Sequence, residues 1–216
     1  REFGLTVPIL ERRRFALGGH YCGLTGLDDF LEMFVDGRSY FAINPFSTSR
    51  ANVMLIVDES ELHRRRDDID DFMRERACVL SGGRIRFDDA RLEDKRIAIG
   101  PLAHRARRYS VPRVLLVGDA AHFLDPFTGQ GVHFALRGAQ MAAQAVKQML
   151  WNASVQGRAW QDYESGVKQE VWRRKRLSSI VGLLVRVPLI ASPAAALAAR
   201  NPLVFRGLLD AVTGAT

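Results

Sequence analysis

The chain has 216 residues, 47% hydrophobic and 25% charged, which suffices for a buried core and is too balanced for a disordered or fibrous protein. Lys and Arg number 31 against 24 Asp and Glu, a net charge of +7. The basic residues fall in scattered arginine clusters (Arg12 to Arg14, Arg64 to Arg66, Arg105 to Arg108, Arg173 to Arg176) without interleaved aromatics, a solvated-surface pattern that sets nucleic-acid binding aside.

In chain order, Arg12 to about Ile56 reads as strands. "RRFALGGHYCGL" and "FLEMFVDGRSYFAINPF" alternate in part, and "ANVMLIVD" is a compact apolar run. Asp36-Gly37 predicts a hairpin turn, because both residue types tolerate positive φ. After Ser60, the residues Leu62, Ile69, Phe72, Met73 and Leu80 share one helical face, and Gly82-Gly83 is expected to end that helix. "RIRF" and "KRIAIGPL" read as two further strands. Residues 1–107 are therefore expected to form an antiparallel sheet carrying one helix.

Residues 108–150 read differently. Arg113 to Val117 is a short, continuously apolar run of the kind found in buried parallel strands. Behind Gly131, the residues Val132, Ala135, Leu136, Ala139, Ala143, Val146 and Leu150 recur at helical spacing. Ala135, Gly138, Ala139, Ala142 and Ala143 are small enough for that helix to lie close to its neighbours. Residues 151–216 are expected to be helical: a basic amphipathic helix from Gly157 to about Leu184, then an Ala-rich tail broken at Pro188, Pro193 and Pro202. Arg186, Pro188 and Pro193 interrupt its apolar stretch, so packing is favoured over membrane contact.

The two cysteines, Cys22 and Cys78, lack metal-ligand spacing, so no metal site is expected, and they suit a reduced, cytoplasmic protein. No leader pattern is visible at the start, which agrees with that compartment.

The run that stops at Gly118-Asp119 and resumes as a helix behind Gly129-Gln130-Gly131 carries the chemistry. Ligands bind beyond the carboxyl ends of strands in α/β sheets. A carboxylate there, Asp119, can accept hydrogen bonds from ligand hydroxyls. Gly118 lets the backbone turn. Pro126 stiffens the loop, and Gly129 and Gly131 permit close approach. The helix start leaves backbone N–H groups unpaired at a positive dipole end, which favours negative charge. Such a site would hold a polyol at one end and an anion at the other.

This arrangement resembles the second FAD segment of flavoprotein monooxygenases of the para-hydroxybenzoate hydroxylase type and of the related geranylgeranyl reductases. There a strand ends in Gly-Asp, followed by Ala-Ala, a Pro and a Gly-x-Gly helix start, matched here by Gly118, Asp119, Ala120, Ala121, Pro126, Gly129 and Gly131. The resemblance implies an FAD/NAD(P)-binding Rossmann-like α/β fold of the hydroxylase type, α+β in this stretch, with an antiparallel substrate-domain sheet. It implies that Asp119 binds the ribityl hydroxyls of FAD and that Pro126 lies beside the flavin ring. The backbone around Gln130, Gly131 and Val132 would face the ring's N1–C2=O edge, where the helix dipole would stabilise the anionic reduced flavin. His133 stands where many hydroxylases carry Asn, and Gly138-Ala139 where Asp-Ala is frequent.

The family's strand-GxGxxG-helix, which holds the ADP pyrophosphate, has no match here, nor does its second Gly-Asp pair. "REFGL" resembles the segment that follows that pair. The sequence is thus expected to be the C-terminal portion of an FAD-dependent oxidoreductase, a monooxygenase or reductase. Its expected partners are an apolar or aromatic small molecule, the N-terminal half of the same enzyme, and NAD(P)H as a donor. The alternative is a non-catalytic remnant or binding module without flavin. No residue marks itself as catalytic: His122 reads as a base or as a plain loop histidine. His20, Tyr21, Tyr40 and Asn44 read equally as pocket lining or as packing, because alternation alone does not say which face meets a ligand.

Overall fold

The computed structural model describes residues 4–9, 13–36, 39–151, 156–186 and 201. Its elements in chain order are β1 (Thr6–Pro8), β2 (Arg14–Cys22), β3 (Glu32–Asp36), β4 (Ser39–Pro45), β5 (Arg50–Asp58), α1 (Glu59–Arg64), α2 (Ile69–Leu80), β6 (Arg91–Leu92), β7 (Ile97–Ile99), β8 (His104–Ala106), β9 (Ser110–Val111), β10 (Val114–Leu115), β11 (His122–Phe123), α3 (Gly131–Trp151) and α4 (Gln156–Arg186). They divide into two units: the described residues within Leu10–Leu102, and those within Arg1–Ile9 and Ala103–Thr216. This division differs from the expected boundary after residue 107. The short strand β1 pairs antiparallel with β8, with Thr6 opposite Ala106, and β8 also pairs with β11. Both ends of the first expected domain thereby join the second unit.

In the unit within Leu10–Leu102, six strands make one antiparallel sheet in the order β3-β4-β5-β2-β6, with β7 also paired to β2. The nearly continuous apolar run of β5 suits its place between β4 and β2, where both of its edges are paired. One face of the sheet carries Leu17, Tyr21, Phe41, Ile43, Val53, Leu55 and Val57, and Phe72, Met73 and Ala77 of α2 close the core on it. "RIRF" does not become a strand: Arg86 makes only an isolated bridge to Thr25, while Ile85 and Phe87 are buried in the core. Asp36 pairs with Ser39 across β3 and β4, and Gly37 of the expected turn lies outside the described residues.

The single helix expected over Leu62 to Leu80 is two. Residues 63–68 are all charged or basic, so nothing there anchors the chain to the sheet. The Arg65 N–H closes back on the Leu62 carbonyl at 3.2 Å, and the Arg65 guanidinium meets Asp68 at 3.2 Å and Glu75 at 2.6 Å before α2 begins. The expected stop holds. Ser81 follows Leu80, and the Gly83 N–H donates to the Cys78 carbonyl at 2.8 Å from a left-handed residue.

In the other unit, the expected parallel strand Arg113 to Val117 is not formed. Within that run only Val114–Leu115 forms a strand, and it pairs antiparallel with Ser110–Val111 around a turn where Arg113 takes φ 69°. Every ladder among the described residues is antiparallel, so the apolar run has no parallel neighbour to complete a buried strand. It is held instead by α4: the Glu164 carboxylate accepts from the Tyr109 and Ser110 N–H groups at 2.7 Å each and from the Ser110 hydroxyl at 2.9 Å. Tyr163 donates to the Leu116 carbonyl at 2.6 Å. Burial, then Glu164, pushes the Tyr163 hydroxyl pKa up to about 12, so that donor keeps its proton.

Helix α3 is two-faced. Phe134, Gly138 and Ala145 are buried, in a core shared with Tyr163, Val167 and Val171 of α4. The opposite stripe of Val132, Leu136, Val146 and Leu150 is exposed. The Ala-rich tail expected after α4 lies outside the described residues. No helix among the described residues is long and apolar enough to cross a membrane.

Candidate functional site

Beyond Val117 the chain makes a tight turn, Gly118–Ala120, that only a particular residue opens. Gly118 has φ 55°, and a Cβ there would lie 3.0 Å from the Cβ of Ala135 on α3. One turn later on α3, a Cβ at Gly138 would lie 2.9 Å from Val117 Cγ1. The small residues of α3 therefore let the helix lie directly on this turn, as their spacing predicts.

The turn exposes Asp119 and aims it at the start of α3: a Cβ on Gly131 would sit 3.8 Å from Asp119 Oδ1. Residues twelve apart in sequence are thus neighbours. A carboxylate beside the positive end of a helix is favourably placed. The turn is pinned from below by His104, whose Nε2–H donates to the Asp119 carbonyl at 2.7 Å and whose ring stacks on Phe123 at 6.0 Å.

The loop between is also ordered by its own chemistry. Asp125 accepts from the Phe127 N–H at 3.0 Å and caps a 3-10 turn, Pro126–Thr128. Gly129 closes it with φ 65°, donating to the Pro126 carbonyl at 3.0 Å. Gln130 follows, and its carbonyl accepts from the Phe134 N–H at 3.0 Å, so α3 is hydrogen-bonded from its first turn. The N–H groups of Gly131 and Val132 belong to the helix start and have no carbonyl one turn earlier within it. All seven candidate residues (Gly118, Asp119, Pro126, Gly129, Gln130, Gly131 and Val132) lie in this one unit, on a turn, a loop and the helix start that follows.

Two further residues have no sequence signal that links them to the site. Arg174 of α4 lies over the Phe134 ring, 4.4 Å from its centroid, and burial lowers its pKa while Asp119 and Glu170 raise it. His122, read in the sequence as a loop residue, is in β11 and 1% exposed. Neither ring nitrogen has a hydrogen-bond partner among the described residues. Burial, then Lys175, Arg174, His104 and Arg105, lowers its pKa to about 4, so the ring is neutral near pH 7.

In the sheet unit, the register separates the four undecided residues. Tyr21 points into the core, with its ring edge-on to Phe87 at 5.5 Å. His20, Tyr40 and Asn44 alternate with core residues and take the opposite face.

The FAD binding domain family matches residues 30–172. The chain belongs to that family. Several of its relatives are flavin enzymes by name. The flavin-dependent halogenase otaD of Aspergillus niger is 25% identical over 150 residues, which cover 67% of this chain and 31% of that protein. A digeranylgeranylglycerophospholipid reductase of Thermoplasma acidophilum is 35% identical over 72 residues, covering 33% of this chain and 18% of that protein. Among solved structures, the flavin-dependent halogenase CmlS superposes with TM-score 0.67 at 21% identity, covering 82% of this chain and 33% of that one. This likeness establishes the fold, an FAD-binding fold of the halogenase and hydroxylase type that is α+β over this stretch. The FAD binding domain described here spans about a third or less of the length of these two curated relatives. Its candidate residues 118–132 all fall inside the matched segment. An exposed carboxylate, glycines without side chains and the N–H groups of a helix start fit the polyol and ring-edge end of FAD.

Proposed function

We propose that this FAD binding domain supplies the flavin-ring end of an FAD-dependent oxidoreductase, with the ADP end held by protein outside these 216 residues. The observation that carries this reading is the placement of Asp119 against Gly131 at the start of α3. When bound, FAD supplies the electron transfer, and the protein contributes position and electrostatics. Asp119 accepts hydrogen bonds from the ribityl hydroxyls. The N–H groups of Gly131 and Val132 face the ring edge, and Pro126 shapes the wall beside it. His104 holds the turn through the Asp119 carbonyl. The substrate is an apolar or aromatic small molecule that is hydroxylated or reduced, and NAD(P)H is the donor. The exposed stripe of α3 suits cover by the enzyme's N-terminal half.

Asp119→Ala is expected to weaken FAD binding by about 1–3 kcal/mol, roughly 5- to 150-fold, through loss of a charged acceptor. Equilibrium dialysis of FAD against parent and variant, each supplied with the ADP-binding segment of a related enzyme, measures this. Equal retention removes Asp119 from the ribityl role. In the same assay, the chain alone is expected to hold FAD poorly and to gain it when that segment is added. A yellow, monodisperse monomer of this chain alone overturns the split of the site.

A further inference from the structure

Arg174 of α4 stands where a cation is disfavoured on three separate counts. Its guanidinium lies over the Phe134 ring, 4.4 Å from the centroid. Phe134 belongs to the first turn of α3, three residues after Gly131, and is itself buried. The first count is desolvation, the largest influence on the Arg174 pKa, which it lowers. The second is the helix: the start of α3 is the positive end of its dipole, which repels a cation and attracts an anion. The third is an unmade bond. Nη1 is buried and has no hydrogen-bond partner among the described residues. Such a donor forfeits its hydration without replacement, and more so on a charged group.

What offsets these counts is in place only in part. The face of the Phe134 ring attracts the guanidinium, and Asp119 and Glu170 favour its charged form. Neither carboxylate bonds Nη1. Asp119 is exposed and directed at the start of α3, with Oδ1 3.8 Å from where a Cβ on Gly131 would stand. The His104 bond to the Asp119 carbonyl, at 2.7 Å, fixes the backbone of that turn. A guanidinium does not give up its proton in a protein, so the positive charge persists. It is met when further negative charge arrives beside the first turn of α3.

We propose that Arg174 is a positioning residue for the flavin edge: its buried charge, added to the start of α3, makes the site hold the reduced, anionic flavin more tightly than the oxidised one. The inference rests on the proposed FAD reading and adds to it a residue from a different helix. The carboxylate of Asp119 suits ribityl hydroxyls but opposes a second negative charge nearby. Arg174 offsets that opposition, so Asp119 governs binding and Arg174 governs the potential.

The test uses the whole chain supplied with the ADP-binding segment of a related enzyme and loaded with FAD. Dithionite delivers two electrons, one proton is taken up from solvent, and one negative charge is left on the ring. The reduction potential is read against a reference dye during that titration. Arg174→Met keeps an apolar stem over Phe134 and removes the charge, whereas Arg174→Lys keeps the charge. Arg174→Met is expected to weaken the hold on reduced relative to oxidised flavin about tenfold, which is a two-electron potential about 30 mV more negative. Arg174→Lys should recover most of that shift. Arg174→Gln carries the same expectation as Arg174→Met and replaces it where the latter does not fold. An unmoved potential in the uncharged variants, or an equal drop in Arg174→Lys, overturns the proposal. Loss of both flavin forms in equal measure leaves the potential unmoved and assigns Arg174 to packing alone. A parent that retains no FAD overturns the flavin reading and this inference with it, while a parent that retains FAD at a potential indifferent to Arg174 overturns the inference alone.

Discussion

Gly118→Val is expected to cost the unit that holds Asp119 about 4 kcal/mol and to abolish flavin retention. Two terms add. The residue takes φ 55°, where an L-residue is disfavoured by about 1–2 kcal/mol and a β-branched one by more. The new Cβ would also stand 3.0 Å from the Ala135 Cβ, with the further methyls driven into α3, an overpacking cost of about 1–3 kcal/mol. Gly129→Ala provides the comparison. It shares the left-handed conformation, at φ 65°, but a Cβ there would meet nothing within 4 Å among the described residues, so only the backbone term of about 1–2 kcal/mol applies. Thermal unfolding of both variants checks this: a loss of more than about 10 °C for Gly118→Val against a few degrees for Gly129→Ala is expected. Equal losses would mean that the approach of α3 to the turn does not matter.

Acid should destabilise the same unit through His122. Its pKa in the folded protein is about 4, below the ordinary value near 6.5. Above pH 6.5 the ring is neutral whether the chain is folded or not, and the full stability is present. As the pH falls from 6.5 to 4, the unfolded chain takes up a proton that the folded chain refuses, and stability is lost. The total is about 3 kcal/mol. His122→Leu keeps the volume and removes two ring nitrogens that have no hydrogen-bond partner among the described residues, so near pH 7 it should be neutral or stabilising. Urea midpoints at pH 7 and pH 4.5 for parent and variant measure the difference. Carboxylates titrate in both proteins and cancel, so a variant with undiminished acid sensitivity would place the effect elsewhere than His122.

Local pieces of this protein are legible in its sequence. The apolar run of β5, the alternation in β2 and β4, the stop of α2 at Ser81 to Gly83 and the start of α3 behind Gly-Gln-Gly all depend on period and turn chemistry. These are properties of neighbouring residues. The motif from Gly118 to Val132 is legible for the same reason: each of its glycines answers a local need for a turn or a close approach.

What depends on partners far along the chain was decided only in three dimensions. An apolar run does not carry its own neighbours, so Arg113 to Val117 became a hairpin edge clipped by Tyr163 and Glu164 instead of a buried parallel strand. Alternation states that His20 and Tyr21 face opposite ways, but the side that α2 covers is set by packing. That packing sent Tyr21 into the core and left His20 in a row with Asn52 and Asn44. Arg174 reached Phe134, and His104 the carbonyl of Asp119, across separations that no spacing rule links. The burial of His122 belongs to the same class, because desolvation is imposed by surrounding elements and not by the residues on either side.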